Sequence, residues 1–404
     1  MASIRKSLNV LCVTHAYPRW DGDVAGAFIE RLMLALVARG HGVHVVAPAD
    51  QGRGGKELRH HIPVTRVRYA PAGWETLAYR GTMVAAVRSP QGVVAASSLV
   101  LRLRRAVSQV CAAGNIDLIH AQWWIPAGIS AWLARKPYVV TLHGTDVMLL
   151  DRSRAARHIA RRVLESAAAV TAVSTFLVER AAHACGISLG KIVVQPMPLD
   201  VKAFNRASRG GGGVVTVGRL STQKRIDLLL MAMAELRRNG NPLPLTIVGE
   251  GPERNALERR ANDLGIGSNT RFLGAVPPER LQEAIDDADV FAFPAVGEGL
   301  GLAAAEALLL GIPVVASRDG GGVTDIVPRS GAGRLISAEN PRELSNAIAE
   351  LAGNADSRRL AAEAGVGLRR RLDPAVVAER FEAIYRAALD KSHPSTKEDA
   401  GVRT

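Results

Sequence analysis

The chain repeats one pattern along most of its length: a short apolar run rich in valine and isoleucine, a segment with helical periodicity, and another apolar run. Such runs are typical of strands buried on both faces, and their alternation with helices predicts parallel sheets covered on both sides. The runs of the first half are LNVLCVTH, HGVHVVAPAD, IDLIHAQ, PYVVTLHG and AAAVTAVS, and those of the second half are VVTVGRL, LPLTIVGEG, TRFLGAV, ADVFAFPAV and IPVVAS. The pattern therefore predicts an α/β protein.

The alternation is interrupted once, at residues 198–213, where PLDVKAFNRASRGGGG has the composition of a connector between domains. A chain of 404 residues with 48% hydrophobic content can bury two cores. We therefore expect two doubly wound, Rossmann-like domains, 1–198 and 199–373, that face each other across a cleft. The last helical pattern, 374–391, is expected to pack back on the first domain, and 392–404 to be disordered.

Charge limits the kind of partner. The chain has 51 Lys and Arg against 38 Asp and Glu, a formal charge of +13, which favours anionic ligands or surfaces. The basic stretches at 101–105 and 152–162 are either solvated helix faces or surfaces for an anionic membrane. With 4% aromatic residues and no recognition-helix motif, nucleic acid is not an expected partner.

The apolar runs are too short for a membrane span, which needs roughly 18 residues. The first residues lack the small-residue cleavage site of a signal peptide, so we expect a cytoplasmic protein, peripheral on the inner face of the membrane if the basic stretches touch it.

The three cysteines, Cys12, Cys111 and Cys185, have no paired spacing, and no acidic cluster is evident. We therefore expect no bound metal.

Loops that follow the strands of the second half carry a candidate anion site. Ligands of open parallel sheets bind beyond the carboxyl ends of the strands. A glycine turn before a helix offers unpaired N–H groups and a positive helix end, which suit phosphate, and nearby cations add full charge. The pattern predicts a diphosphate site. Its candidate residues are Arg219, Lys224, Gly249, Glu298, Gly299, Leu300 and Gly301.

Two carboxylates, Glu298 and Glu306, flank the glycine turn. A carboxylate cannot favourably contact phosphate, but it accepts hydrogen bonds from hydroxyl groups, a ribose at one end of a diphosphate and a sugar at the other. Glu306 lies about 7 Å along the helix from Gly301. Either acid alone could be an ordinary helix residue, but together with Arg219 and Lys224 they predict a nucleotide-sugar as ligand.

The combination resembles the retaining glycosyltransferases of family 4, which have the two-domain GT-B fold. Glu298 and Glu306, with GLG between them, match the E-x7-E signature of that family. VGRLSTQKRIDLLLMA resembles its phosphate-binding segment, with Arg225 in place of the usual glycine. LHGTD resembles its first-domain histidine motif, and GDVAGAFIERLMLALVARGHGVHVV its opening loop and helix, with Gly26 in place of paired glycines.

The resemblance implies a role for each matched residue. Arg219 and Lys224 would hold the diphosphate, Glu306 the ribose, and Glu298 with the amides of residues 299–301 the transferred sugar and phosphate. His143 would reach the sugar from the first domain, and Gly26 would let the opening loop approach the phosphates. The chemistry implied is metal-independent transfer of a hexose with retention, with no cofactor beyond the nucleotide-sugar co-substrate.

Candidate acceptor residues follow strands of the first half: His15, His120, Trp123 and Trp124. Adjacent tryptophans could stack on a sugar, or could seal the end of the sheet, and we expect one of the two to do the latter. The acceptor would be a glycan, a lipid-linked saccharide or a small molecule, and we expect a UDP-sugar donor rather than GDP-mannose. Two alternatives are a nucleotide-sugar epimerase of the same fold and a non-catalytic basic protein that binds membrane or nucleic acid.

Overall fold

The computed structural model describes residues 7–79, 83, 89–204, 209–328, 331–337 and 339–392. These form two compact units. The first contains the described residues up to Val173, Leu177–Pro198 and those from Pro374 onward, and the second contains Ser174–Phe176 and Leu199–Asp373. Each unit is built around one sheet, so the predicted α/β class with two parallel-sheet domains is confirmed.

The first unit has an eight-stranded sheet in the order β3-β4-β2-β1-β5-β6-β7-β8. All neighbours are parallel except β3 and β4. The strands are β1 (Asn9–Val13), β2 (Gly42–Pro48), β3 (Gly55–Arg59), β4 (Ile62–Val67), β5 (Leu118–Gln122), β6 (Tyr138–Leu142), β7 (Ala169–Ala172) and β8 (Ile192–Val194). Its helices include α1 (Ala27–Ala38), α2 (Pro90–Ala113), α3 (Ile129–Trp132), α4 (Thr145–Arg152), α5 (Arg154–Ser166) and, from Leu177 onward, α6 (Thr175–Cys185).

The second unit has a six-stranded parallel sheet in the order β11-β10-β9-β12-β13-β14. Its strands are β9 (Val214–Val217), β10 (Leu245–Val248), β11 (Thr270–Gly274), β12 (Val290–Phe293), β13 (Val314–Ser317) and β14 (Gly333–Ile336). Its helices include α7 (Ile226–Arg238), α8 (Arg254–Asp263), α9 (Pro278–Ile285), α10 (Leu302–Leu309), α11 (Pro341–Leu351) and α12 (Ala355–Leu372).

The central strands are buried along their full length, as in β5, β6 and β10, because helices cover both faces of each sheet. The strands that the apolar runs did not predict lie at or next to the sheet edges: β3, β4, β8 and β14. The sequence of β3, GKELR, is polar and largely exposed, so it carries no apolar signal. Sequence patterns therefore predict the interior of these sheets better than their edges.

Strand order reverses at one place in each sheet, between β1 and β5 and between β9 and β12. The connections from these neighbouring strands leave toward opposite sides, which opens a crevice at their carboxyl ends where ligands bind in doubly wound folds. The loops that follow these four strands are therefore where a binding site is expected.

The last helix, α13 (Pro374–Ser392), belongs to the first unit and packs on α1. Its Phe381 and Tyr385 are fully buried, and the Glu382 carboxylate accepts hydrogen bonds from Arg39 at 3.0 and 2.7 Å. The tail expected to be disordered lies outside the described residues from position 393 onward. Over the described part of the chain, no helix has the length and apolar content that crossing a bilayer requires.

Candidate active site

Lys224 and Glu298 meet at the reversal point of the second sheet. Lys224 ends the short turn Thr222–Lys224 after β9, and Glu298 lies in the loop after β12. The Lys224 Nζ atom is 3.0 Å from Glu298 Oε1 and lies 4.8 Å from the centroid of the Phe293 ring. The two side chains are only 17% and 19% exposed. The fold therefore brings together two of the predicted site residues as an ion pair.

The backbone of Glu298 is held by a glycine-rich loop after β13. Its amide donates to the Gly320 carbonyl at 3.0 Å, and its own carbonyl accepts from the Gly322 amide at 2.8 Å. A Cβ on Gly321 would lie 2.4 Å from the Glu298 carbonyl oxygen, so only glycine permits this approach. Our sequence reasoning missed this loop, although three glycines soon after the strand IPVVAS were a usable signal.

Gln223 joins the loop after β9 to the loop after β12. Its carbonyl accepts from the Val296 amide at 3.1 Å, and its side-chain amide donates to the Val296 carbonyl at 3.1 Å. The turn that carries Lys224 is therefore fixed to the loop that carries Glu298. Sequence reasoning missed Gln223 as well, because no local pattern links residues that are 73 positions apart.

Helix α10 begins beside this pair, and Gly301 precedes it with φ +84°. Gly299 and Leu300 lead into the helix, and Glu306 is partly exposed on a helix that is mostly buried. Arg219 is exposed in the loop after β9. These predicted donor residues thus lie on the loops after β9 and β12 and on α10, at the carboxyl edge of one sheet.

Gly249 and Arg225 occupy two unusual backbone positions near the site. Gly249 has φ +136°, and a Cβ there would lie 1.9 Å from the Gly218 carbonyl oxygen, so this glycine lets the loops after β9 and β10 touch. Arg225 precedes α7 with φ +51°, a left-handed conformation that disfavours residues with a side chain. A glycine at this position would adopt the same conformation without that strain.

The first unit gathers three predicted residues at the carboxyl edge of β1, β5 and β6. The rings of His15 and Trp123 are 4.0 Å apart, those of Trp123 and His143 4.3 Å, and those of Phe28 and His143 5.2 Å. We call these four residues the aromatic cluster. Trp123 has φ +70°, a strained conformation of the kind found at functional sites.

Polar atoms of the aromatic cluster are enclosed. Within the described ranges, Trp123 Nε1 and His15 Nδ1 are buried and have no hydrogen-bond partner. Burial lowers the pKa of His15 to about 4. Burial, with the neighbouring His120 and His15, lowers the pKa of His143 well below 6.5. Both imidazoles are therefore neutral at physiological pH.

Trp124 is a packing residue, as we expected for one of the two tryptophans. It is 1% exposed, and its Nε1 donates to the Asp146 carbonyl at 2.7 Å. The Asp146 carboxylate in turn accepts from the amides of His143 and Gly144 at 3.2 and 3.0 Å. We therefore no longer propose that Trp124 contacts the acceptor. Asp146 fixes the loop that carries His143.

His120 also differs from the expectation. Its side chain is fully buried and hydrogen bonds to Thr141 and to Tyr385 of α13, each at 2.7 Å. Because His120 is the third residue of β5 rather than a residue of the following loop, its ring is enclosed by the core. The proposed contact of His120 with an acceptor is corrected accordingly.

Gly26 precedes α1 with φ +77°. A Cβ there would lie 2.3 Å from the Ala16 carbonyl oxygen, so this glycine allows the start of α1 to approach the loop after β1. In the part of the chain with described coordinates, no group of three or more His, Cys, Asp or Glu is arranged to hold a metal ion.

Sequence comparison matches each half of the chain to a glycosyltransferase family. Residues 25–198 match the family described as glycosyl transferase 4-like domain, and residues 204–366 match glycosyl transferases group 1. A GDP-mannose-dependent alpha-(1-6)-phosphatidylinositol monomannoside mannosyltransferase of Mycolicibacterium smegmatis is 29% identical, over 90% of this chain and 94% of that protein. A D-inositol 3-phosphate glycosyltransferase of Corynebacterium jeikeium is 30% identical, over 71% of this chain and 76% of that protein.

Solved structures share the fold. Sucrose-phosphate synthase of Thermosynechococcus elongatus has a TM-score of 0.77 at 22% identity, covering 94% of this chain and 98% of that chain. The Anabaena protein HepE in complex with UDP has a TM-score of 0.71 at 20% identity, covering 94% and 100%. The chain belongs to the glycosyltransferases of the GT-B fold.

Proposed function

We propose that this protein transfers a hexose from a nucleotide diphosphate sugar to a hydroxyl group, with retention of configuration and without a metal ion. The observation that carries the proposal is the Lys224–Glu298 pair, 3.0 Å apart, at the reversal point of the second sheet. A cation and a helix N-terminus suit a diphosphate, and a carboxylate suits the hydroxyls of the attached sugar. Arg219 supplies a second cation from the loop after β9.

The reaction breaks the bond between the sugar and the diphosphate, so negative charge develops on the leaving group. Arg219, Lys224 and the amides of residues 299–301 stabilise that charge. Glu306 accepts hydrogen bonds from the ribose hydroxyls. The acceptor hydroxyl attacks from the face that the diphosphate leaves, and its proton passes to the leaving phosphate, so no protein nucleophile is required.

The resemblance also assigns roles to residues of the first unit. His143 binds a hydroxyl of the transferred sugar, and Gly26 lets the opening loop approach the phosphates. His15 and Trp123 remain candidates for the acceptor, since both belong to the aromatic cluster and each has a buried polar atom without a partner among the described residues.

The donor preference inferred from the sequence needs revision. We expected a UDP-sugar, but a relative that covers 90% of this chain is GDP-mannose-dependent by name, so that preference is not supported. We propose GDP-mannose as the first donor to test. For the acceptor we propose a polyol or lipid-linked saccharide, in keeping with relatives whose names specify phosphatidylinositol monomannoside or inositol phosphate.

A panel of GDP-mannose, UDP-glucose, UDP-galactose and ADP-glucose in thermal unfolding tests donor binding. A ligand at 100 times its Kd stabilises the folded state by about 2.7 kcal/mol. Glu306→Ala should abolish that stabilisation, whereas Glu363→Ala, an exposed acid of α12, should preserve it. Stabilisation that survives Glu306→Ala unchanged would refute the ribose assignment, and the absence of stabilisation by any donor would refute the function.

Product analysis separates the proposed transferase from an epimerase. With GDP-mannose and a lipid-linked or inositol acceptor, we expect a new glycoside with the anomeric configuration of the donor, formed at the same rate in EDTA. Isomerised donor without a glycoside would instead establish the epimerase. An inverted product would refute retention, and loss of activity in EDTA would refute metal independence.

Membrane association is proposed for the first unit, on the cytoplasmic face. Helix α2 exposes Val93, Val94 and Leu101 at 51%, 62% and 56%, and the exposed Arg102, Arg104 and Arg105 follow them. Apolar side chains beside arginines suit an anionic bilayer. Flotation with phosphatidylserine vesicles should decrease when these three arginines become glutamine, but not when Arg237, Arg238 and Arg342 of the second unit do. Equal loss in both triple variants would refute the assignment.

A further inference from the structure

A line of hydrogen-bonded side chains crosses the core of the first unit from α13. Tyr385 OH lies 2.7 Å from His120 Nδ1, and His120 Nε2 lies 2.7 Å from Thr141 Oγ1. Thr141 Oγ1 is 2.7 Å from Thr171 Oγ1, which is 3.4 Å from the Val140 carbonyl oxygen. Every side chain in this line is fully buried. Each polar hydrogen of these side chains must therefore be donated to another group of the protein.

The direction of every bond follows from the last one, because a carbonyl oxygen can only accept. Thr171 donates to Val140, so Thr141 donates to Thr171. His120 then donates from Nε2 to Thr141 and accepts at Nδ1 from Tyr385. Burial lowers the pKa of His120 to about 3, so its ring is neutral and has a single proton to donate. Both nitrogens of His120 are thus fully used.

Gln122 lies against this ring. Its Nε2 atom is 3.1 Å from one ring nitrogen of His120 and 3.3 Å from the other. A position in the ring plane with those two distances would collide with Cε1, so the amide nitrogen lies over the ring face. An N–H group is compatible with that electron-rich face, whereas a carbonyl oxygen would be repelled. The Gln122 amide nitrogen therefore points into the core.

The carbonyl end of Gln122 then points toward His143. Gln122 Oε1 lies 2.7 Å from His143 Nε2, and this oxygen can only accept. His143 is neutral, because burial and the neighbouring histidines lower its pKa well below 6.5. Its one proton is consequently on Nε2, and Nδ1 carries the lone pair.

We propose that Gln122 is a positioning residue that holds His143 in the Nε2–H tautomer, so that Nδ1 accepts a hydrogen bond from a hydroxyl of the bound sugar. The proposal rests on the role given to His143 under Proposed function and specifies it further. His143 acts as a neutral acceptor in binding, and neither donates a proton to the sugar nor carries a positive charge beside it.

The tautomer can be measured without activity. Nitrogen-15 correlation spectra of histidine-labelled protein, with His143 assigned by its loss in His143→Gln, distinguish the two tautomers of a neutral imidazole. We expect the Nε2–H form in the wild type and a mixture of tautomers in Gln122→Met, which keeps the side-chain volume but has no acceptor. A wild-type ring protonated on Nδ1, or an unchanged tautomer in Gln122→Met, overturns the proposal.

The pH profile tests the functional part. In Gln122→Glu a carboxylate faces His143 Nε2 and raises the pKa of that ring. As the pH falls, the His143 ring becomes protonated on Nδ1, which can then no longer accept a hydrogen bond. The value of kcat/KM for the donor should therefore fall, and its pH dependence should have a new midpoint between roughly pH 5 and 7. Gln122→Met should instead lose activity about 3- to 10-fold at every pH.

Gln195→Glu is the matched control, since Gln195 is a buried glutamine that bonds to its neighbour Pro196. Gln195→Glu should not create a new midpoint in the pH dependence of kcat/KM. A Gln122→Glu profile that superimposes on the wild type, or the same midpoint in Gln195→Glu, overturns the role of Nδ1 as acceptor. If no donor is turned over at all, the proposed function fails, and the tautomer measurement still decides whether Gln122 positions His143.

Discussion

Lys224 Nζ and Glu298 Oε1 lie 3.0 Å apart, although their loops follow different strands of the second sheet. The Glu298 carboxylate competes with a bound diphosphate for Lys224, and it repels that diphosphate. Lys224→Met should therefore weaken binding of GDP or UDP by about 10- to 100-fold, the value of a hydrogen bond to a charged group. Glu298→Gln should leave nucleotide affinity unchanged or increase it, while decreasing sugar transfer.

Isothermal titration with GDP and UDP measures both effects. Arg238→Met, which removes a 70% exposed cation at the far end of α7, is the control for net charge and should have little effect. If Glu298→Gln weakened nucleotide binding as much as Lys224→Met, the pair would be a structural unit rather than a cation and an acid with separate ligands.

Gly26→Ala should destabilise the protein through a steric overlap. The added methyl would lie 2.3 Å from the Ala16 carbonyl oxygen, and alanine would have to adopt φ +77°. We expect a cost of about 2 to 4 kcal/mol in the free energy of unfolding. Gly40→Ala is the matched control, because its φ is +86° and, among the described residues, no atom lies within 4 Å of the added Cβ.

Gly40→Ala should cost only about 1 to 2 kcal/mol, the backbone penalty alone. Urea unfolding of the two variants and the wild type gives both values. Equal costs would show that the approach of α1 to the loop after β1 does not require glycine at position 26.

Glu382→Gln should weaken the attachment of α13 and change the acid stability. Burial raises the pKa of Glu382, but hydrogen bonds from Arg39 and Arg386 outweigh it and the pKa falls from 4.5 to about 2. Because the folded pKa lies below the unfolded value, the stabilisation is present above about pH 4.5 and is lost as the pH falls toward 2. It amounts to at most about 3 kcal/mol.

Urea unfolding between pH 7 and pH 2 tests this expectation. Glu382→Gln should lower stability at pH 7 and flatten the decrease below pH 4.5. Glu379→Gln, on the exposed side of the same helix, should retain the wild-type slope. A wild-type slope in Glu382→Gln would mean that the Arg39 contact does not stabilise the fold.

Tyr385→Phe should destabilise the protein by about 1 to 3 kcal/mol, because it leaves His120 Nδ1 buried without a donor. Tyr17→Phe is the matched control. The Tyr17 hydroxyl is also buried but has no hydrogen-bond partner in the described part of the chain, so its removal should be neutral or stabilising. Chemical unfolding of both variants at pH 7 measures the difference. A neutral Tyr385→Phe would indicate that the line of buried hydrogen bonds contributes nothing to stability.

The sequence was most informative where one residue type serves one local purpose. Apolar runs predicted the central strands because these are covered on both faces, and a glycine turn followed by a helix predicted Gly301 at the start of α10. The edge strands β3 and β14 were missed, since a strand with one neighbour need not be apolar. The same local reasoning placed His120 in the loop after β5, whereas it lies within the strand. A local pattern does not distinguish the last residues of a strand from the loop that follows.

The sequence alone determined the α/β class, the two sheets and a set of candidate site residues, because periodicity and turn residues are local properties of the chain. Only the tertiary structure decided which of those residues meet. The pairing of β9 with β12 brings Lys224 to Glu298, and the return of α13 to the first unit brings Tyr385 to His120 and so next to Gln122. Such contacts depend on strand order and burial, which act between residues far apart in the chain.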